Sequence, residues 1–289
     1  TIISCALPVV LASAVPVLVD SNPATWTMDV EQVEQRISSR TRAILPVHIY
    51  GHPVDMDPLL ELADRHRLAV IEDAAEAHGA LYKGRRCGSF GTTSCFSFYA
   101  NKLVTTGEGG MLLVDDDALA ERARKLRNLG FEPPRRFVHR ELGYNFRLTN
   151  LQAALGLAQL ERMDDIVSRK RWMGHAYTER LRDLAAIELQ VEEPWVSSVF
   201  WMYGLVVREE TGLDARTLAE RLLERGVETR PFFVGMHAQP VLLERGLFAG
   251  ESYPVTDRLA RQGLYLPSGL ALELEQLERV CQTLHELLA

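Results

Sequence analysis

The sequence is short of everything that marks the specialised classes of protein chain. Its four cysteines, Cys5, Cys87, Cys95 and Cys281, stand apart, with neither a CxxC pair nor a Cys/His ligand spacing. No disulfide framework and no zinc or other metal site is therefore expected, and the thiols read as reduced and structural in a cytoplasmic protein. No apolar run approaches the ~20 residues of a membrane span, and no secretory signal pattern is found. Basic residues are outnumbered, for a formal net charge of −7, which argues against a general nucleic-acid binder. The pair Arg135-Arg136 could meet phosphate, although solvated surface is the commoner use. Neither nucleotide-binding glycine motif, GxGxxG nor the P-loop, occurs, and there is no internal repeat, low-complexity tract or heptad seam. What remains is a globular chain of 289 residues, long enough for one large α/β domain and a smaller one.

The stretch that organises the rest runs from residue 68 to 114, LAVIEDAAEAHGALYKGRRCGSFGTTSCFSFYANKLVTTGEGGMLLV. An apolar run, Leu68 to Ile71, ends in Glu72 and Asp73, and Lys102 lies between an aromatic strand and a glycine-rich turn. Short apolar runs bounded by turn residues suit buried parallel strands, and open α/β sheets bind ligands outside the carboxyl ends of such strands. A lysine amine can condense with an aldehyde, and a carboxylate can keep a pyridine nitrogen protonated. Pyridoxal phosphate needs those two groups, and Ser97, five residues before the lysine, offers a hydroxyl for its phosphate. Taken singly, each residue has a plainer use: a lysine beside a glycine turn as solvated surface, and an acidic pair after a strand as a helix N-cap with a first-turn acid. Their order and spacing favour the shared site.

EDAAEAHGA, then GSFG, then FSFYANKLVTTGEGGM resemble the DegT/StrS sugar aminotransferases, a branch of the fold-type I pyridoxal-phosphate enzymes. The similarity covers nearly the whole chain, and SF-x-x-x-K-x-x-TTGEGG is a specific signature. The resemblance implies a three-layer large domain with a mainly parallel sheet over residues 1–175, amino-terminally incomplete, and a smaller α/β domain over 176–289. It implies Lys102 as the Schiff-base lysine, Asp73 as partner of the pyridine nitrogen, Ser97 on the phosphate and Glu76 near the 3-oxygen of the ring. Relatives that dehydrate the sugar carry histidine at the lysine position, so lysine favours transamination. Asn145, in GYNFRLTN, would reach the phosphate in the partner subunit of a homodimer; a turn asparagine before a helix is its simpler use. RPFF-x-x-MH resembles the substrate-facing loop of sugar 4-aminotransferases, which implies Arg230 and His237 near the nucleotide sugar; both could instead join the two domains. In the family the region of residues 1–20 follows a longer segment with a Gly-Thr-Ala-type turn, so the chain is expected to be a fragment or a truncated member. Ile2 stands where many relatives place an aromatic residue over the cofactor ring.

Taken in order, the chain suggests a strand over Val15–Val19 and a helix over residues 29–41 capped by Asp29. A strand through ILPVHIYG, with His48 either lining the pocket or bonded under a loop, leads to a helix from Pro58 to His66. DDDALAERARKLRNLG reads as an amphipathic helix, and FEPPRRFVHRELGYNFRLTN as a loop or hairpin. One long helix is expected from Thr149 to about Leu184. Residues 199–208 read as a strand, Ala215 to Gly226 as a helix, and Leu272 to Leu288 as the last helix. His78 reads as a packing or hydrogen-bonding histidine. The implied function is amino transfer from glutamate to a nucleotide-linked 4-keto-6-deoxy sugar, as in the GDP-perosamine synthase group. The alternatives are a 3-keto-sugar aminotransferase and a non-catalytic dimerisation or sensing module.

Overall fold

The computed structural model describes residues 1–135 and 137–288; Arg135 is exposed, and Arg136 lies outside the described residues. The chain opens on a short helix, α1 (Leu7–Leu11), followed by an extended run. The strand expected at Val15–Val19 does not form. Val15 and Val17 remain exposed, and alternating apolar residues make a strand only where a neighbour accepts their ladder. Residues 30–36 are a 3-10 turn and a single turn of helix, α2 (Val33–Arg36), with the Asp29 side chain capping Glu31 N–H at 3.2 Å.

The strand β1 is only Ala43–Ile44, because the chain leaves the sheet after Val47 and turns through Tyr50, whose φ of 55° is left-handed. Helix α3 (Met56–His66) buries Met56, Leu59, Leu62 and Ala63, one face at helical spacing, and stops at Arg67 in a left-handed cap. There follow β2 (Ala69–Asp73), β3 (Leu81–Tyr82), β4 (Arg85–Arg86), β5 (Thr93–Ser97), β6 (Gly110–Val114) and helix α4 (Asp117–Leu126), capped by Asp116. The first sheet has the order β1-β2-β5-β6, with the first two pairings parallel and the last antiparallel.

Instead of one long helix, residues 150–181 form two, α5 (Asn150–Leu160) and α6 (Met163–Leu181). The break at residues 161–162 contains neither glycine nor proline. Its reason is tertiary: α5 is tied by side chains to the turn after Lys102, whereas α6 packs into a separate core. Thr149 caps α5 in a reciprocal capping box with Gln152.

The rest of the chain is β7 (Ile187–Leu189), β8 (Val196–Ser197), β9 (Tyr203–Val207), α7 (Ala215–Glu224), β10 (Arg230–Pro231), α8 (Pro240–Leu243), α9 (Pro254–Gln262), β11 (Gly263–Leu266) and α10 (Leu274–Leu288). These strands give an antiparallel sheet, β10-β11-β9-β7, while β8 joins β3 and β4 in a small third sheet. One core lies between α6, α7, α10 and the antiparallel sheet, centred on Tyr177, Leu205, Leu218 and Leu277. Another packs α3 on β1 and β2. Between them a third cluster joins Tyr50, Ala74, Leu103, Trp201 and Phe232, so residues from both sheets meet at one seam. Apolar residues also stay exposed on β6 (Met111 to Leu113), on α5 (Leu151, Leu155, Leu157) and at Leu142. Among the described residues no helix is long and apolar enough to cross a membrane.

Candidate active site

Successive residues of a strand face opposite sides, and the end of β2 turns one carboxylate each way. Glu72 points inward and is fully buried. Its Oε1 accepts the N–H groups of Phe90 and Gly91, each at 2.6 Å, and its Oε2 accepts Gly88 N–H at 2.6 Å and His48 Nε2 at 3.1 Å. Burial raises the proton affinity of Glu72, but the His48 bond and the N–H groups of Gly91 and Gly88 outweigh it and hold its pKa below the ordinary value. The GSFG motif is thus a cage around a carboxylate. Gly88 adopts φ +85° against the Phe96 ring, and a Cβ on Gly91 would come within 2.6 Å of the Val70 carbonyl. Val54 N–H donates to His48 Nδ1 at 3.1 Å, so the proton of this ring sits on Nε2. Of its two expected uses, His48 takes the one bonded beneath a loop.

Asp73 faces the seam. Its Oδ1 accepts Ala75 N–H at 3.1 Å and its Oδ2 accepts the Cys5 thiol at 2.9 Å. The acidic pair does not open a helix, since residues 74–80 form only turns. Ser97 ends the neighbouring parallel strand, where its Oγ accepts Tyr99 N–H at 3.2 Å. The hydroxyl proton of Ser97 has no acceptor among the described residues, which leaves it a donor.

Lys102 follows β5 by one turn, its N–H bonded to the Tyr99 carbonyl at 3.0 Å. The Nζ lies 3.5 Å from Glu76 Oε1 and 3.7 Å from the centre of the Trp201 indole. Burial pushes the pKa of Lys102 down, while Glu76, Asp73 and Cys5 pull it up less strongly. Burial pushes Glu76 the other way, against the Lys102 charge and the Tyr50 N–H, which its Oε2 accepts at 2.7 Å. His78 is buried, and neither ring nitrogen has a hydrogen-bond partner among the described residues. Burial and then the charge of Lys102 lower its pKa to about 4.

Behind these groups the TTGEGG turn is gripped by α5. Gln159 bonds both Thr105 N–H, at 3.0 Å, and the Thr105 carbonyl, at 2.7 Å; Gln152 donates to the Glu108 carbonyl at 2.8 Å.

Lys102, Glu76 and Asp73 therefore share one site, with Ser97 on the adjacent strand end. Asn145 is elsewhere: it is exposed and bridges Asn128 in the loop before α5. Arg230 is exposed at the start of β10 and paired with Glu228 at 2.8 Å. His237 is held by Asp257 at 2.9 Å, with its ring 4.9 Å from that of Tyr253. Reasoning from sequence missed Cys5, which reaches Asp73 from the amino-terminal turn, and Tyr50 and Trp201, which carry no motif and reach the site through the seam between the sheets.

The residues match a known family model, that of the DegT/DnrJ/EryC1/StrS aminotransferases, over positions 1–285. The chain belongs to this family. A GDP-perosamine synthase of Caulobacter vibrioides is 42% identical, over 100% of this chain and 77% of the relative. A Streptomyces venezuelae dTDP-3-amino-3,4,6-trideoxy-alpha-D-glucose transaminase is 40% identical, over 99% of this chain and 74% of the relative. The crystal structure of S. venezuelae DesV, solved with a ketimine intermediate, superposes with a TM-score of 0.89 at 38% identity, covering 99% of this chain and 76% of that one. This sugar aminotransferase family is pyridoxal-phosphate-dependent, and the groups of the site suit that cofactor: a buried amine of lowered proton affinity, a fixed carboxylate, a hydroxyl with a free proton and an unpartnered imidazole.

Proposed function

We propose that this aminotransferase moves the amino group of glutamate to a 4-keto-6-deoxy sugar carried on GDP or a related nucleotide, with pyridoxal phosphate held by Lys102, Asp73, Ser97 and Glu76. The observation that carries the reading is the amine of Lys102, buried between Glu76 and Trp201 at the carboxyl ends of parallel strands. Pyridoxal phosphate supplies an aldehyde and an electron-withdrawing ring. Burial keeps Lys102 Nζ reactive by favouring its neutral form, and the same nitrogen, once free, accepts a proton from the donor carbon and returns it to a neighbouring one. Ala75 N–H and the Cys5 thiol fix the Asp73 carboxylate, which would hold the ring nitrogen protonated. Ser97 would donate its spare proton to the phosphate. Glu76 would hold the 3-oxygen, to which a carboxyl group of raised pKa can donate a hydrogen bond.

Asn145 is proposed to complete the site of a second subunit, since it is exposed and its bridge is to Asn128 and not to any group of the site in its own chain. The exposed apolar residues of β6 and α5 support a homodimer. Arg230 and His237 are proposed to meet the nucleotide sugar, with the chain dividing into its two domains near residue 175. Amination at carbon 4 is favoured by the 42% identity to a GDP-perosamine synthase. The relative named for a 3-amino sugar motivates carbon 3 as the second reading.

The test is to add pyridoxal phosphate and then glutamate with a GDP-linked 4-keto-6-deoxy sugar or a dTDP-linked 3-keto sugar, reading the amino product by mass spectrometry. The wild type should gain visible cofactor absorbance and aminate the first sugar, and Lys102→Ala should do neither. A Lys102→Ala variant that kept both would refute the assignment.

A further inference from the structure

We propose that Trp201 is the face on which the amine of Lys102 rests when that amine is free and protonated, and that the buried Lys170 positions the indole there. The proposal deepens the functional reading above, which requires Lys102 to be released and recaptured. A free amine in a closed site needs a place that keeps it near without gripping it. An aromatic face does this, because its attraction for a cation imposes no single hydrogen-bond direction.

Trp201 is 4% exposed, and each of its polar groups is engaged. Its N–H donates to the Tyr50 carbonyl at 3.0 Å, and its indole Nε1–H donates to the Asn101 carbonyl at 2.8 Å. Its own carbonyl accepts Lys170 Nζ at 2.9 Å. Tyr50 N–H in turn donates to Glu76, so the two groups that flank Lys102 Nζ are joined through a single residue.

Lys170 is 2% exposed on α6 and has no carboxylate partner among the described residues. Its two acceptors are the Trp201 carbonyl and the Ser268 carbonyl, the latter at 2.6 Å. Ser268 Oγ in turn accepts Tyr203 N–H at 3.0 Å, so the amine pins the entry to β9 beside the exit of β11. A buried cation without a counter-ion is costly in water-free surroundings, and burial pushes the Lys170 pKa down to about 7. What this costly group holds is the main chain of the residue whose ring covers Lys102.

The test is the proton affinity of Lys102 in the cofactor-free chain, read from the pH dependence of its acetylation by peptide mass spectrometry. Trp201→Leu keeps the burial and removes the π face, so the apparent pKa of Lys102 should fall by roughly one unit; Trp201→Phe should fall less. Lys170→Met should lower it in the same direction, and the double variant Trp201→Leu/Lys170→Met should fall no further than Trp201→Leu alone. Should Lys170→Met not fold, Lys170→Gln retains a hydrogen-bond donor and takes its place. An unchanged Lys102 pKa in Trp201→Leu, or additive falls in the double variant, overturns the proposal. Cofactor loading of the wild type is read separately. A wild type that takes no pyridoxal phosphate ends the functional reading, while the acetylation profile still decides the roles of Trp201 and Lys170.

Discussion

Replacing Glu72 with glutamine keeps the shape of the side chain and removes the charge from a cage of four donors. The carboxylate oxygens serve two donors each: Phe90 and Gly91 on one, Gly88 and His48 on the other. An amide can satisfy one of those pairs, and its NH2 then faces the other pair, leaving two buried donors unmet. At about 1–3 kcal/mol for each unmet donor, the loss should be roughly 2–6 kcal/mol, a large share of a typical stability of about 5–15 kcal/mol. Urea unfolding of wild type and variant at neutral pH measures it. The folded pKa of Glu72 lies below its unfolded value of 4.5. Its contribution is therefore complete above pH 4.5 and is lost as pH falls through the lower folded value. Glutamine does not titrate, so the gap between the two proteins should narrow in acid. A loss under about 1 kcal/mol at neutral pH, or a gap that stays constant down to acid, would show that the cage is not what holds this turn.

Asp73→Asn should still take up pyridoxal phosphate yet lose turnover by roughly a hundredfold or more, because the charge and not the shape supports the ring nitrogen; steady-state rates check this, and near-normal turnover contradicts the role. Mixed dimers carrying Lys102→Ala on one chain and an Asn145 substitution on the other distinguish a residue that serves its own site from one that serves its neighbour's. If Asn145 acts across the interface, both defects fall on one site and the other stays intact, so about half the activity survives; if it acts within its own chain, almost none does.

Much of the site was legible because its residues share one segment. Asp73 and Glu76 are joined by a short turn, as are Ser97 and Lys102, and strand alternation alone puts Glu72 and Asp73 on opposite faces. The regular helices α3, α7 and α10 were equally readable from the spacing of their apolar residues. The misses have a common cause in contacts between distant segments. Nothing local marks the break between α5 and α6, which follows from Gln159 gripping Thr105 while Tyr177 and Leu181 pack into another core. The strand expected through His48 is cut short by the left-handed Tyr50, whose N–H and carbonyl are both taken by partners far along the chain. Trp201 falls in the strand expected over residues 199–208 and Lys170 in the expected long helix, and nothing local ties either to the site until the seam between the sheets is built.

The opposed carboxylates at the end of β2 make that strand intolerant of a change in length. Losing or gaining one residue within it would rotate every later side chain to the other face: the glutamate would enter the reaction site and the aspartate would be left in a nest of amides shaped for a longer acid. Family members can therefore be expected to exchange residues freely in the run that leads to this pair, while insertions and deletions collect in surface loops such as the one before α5.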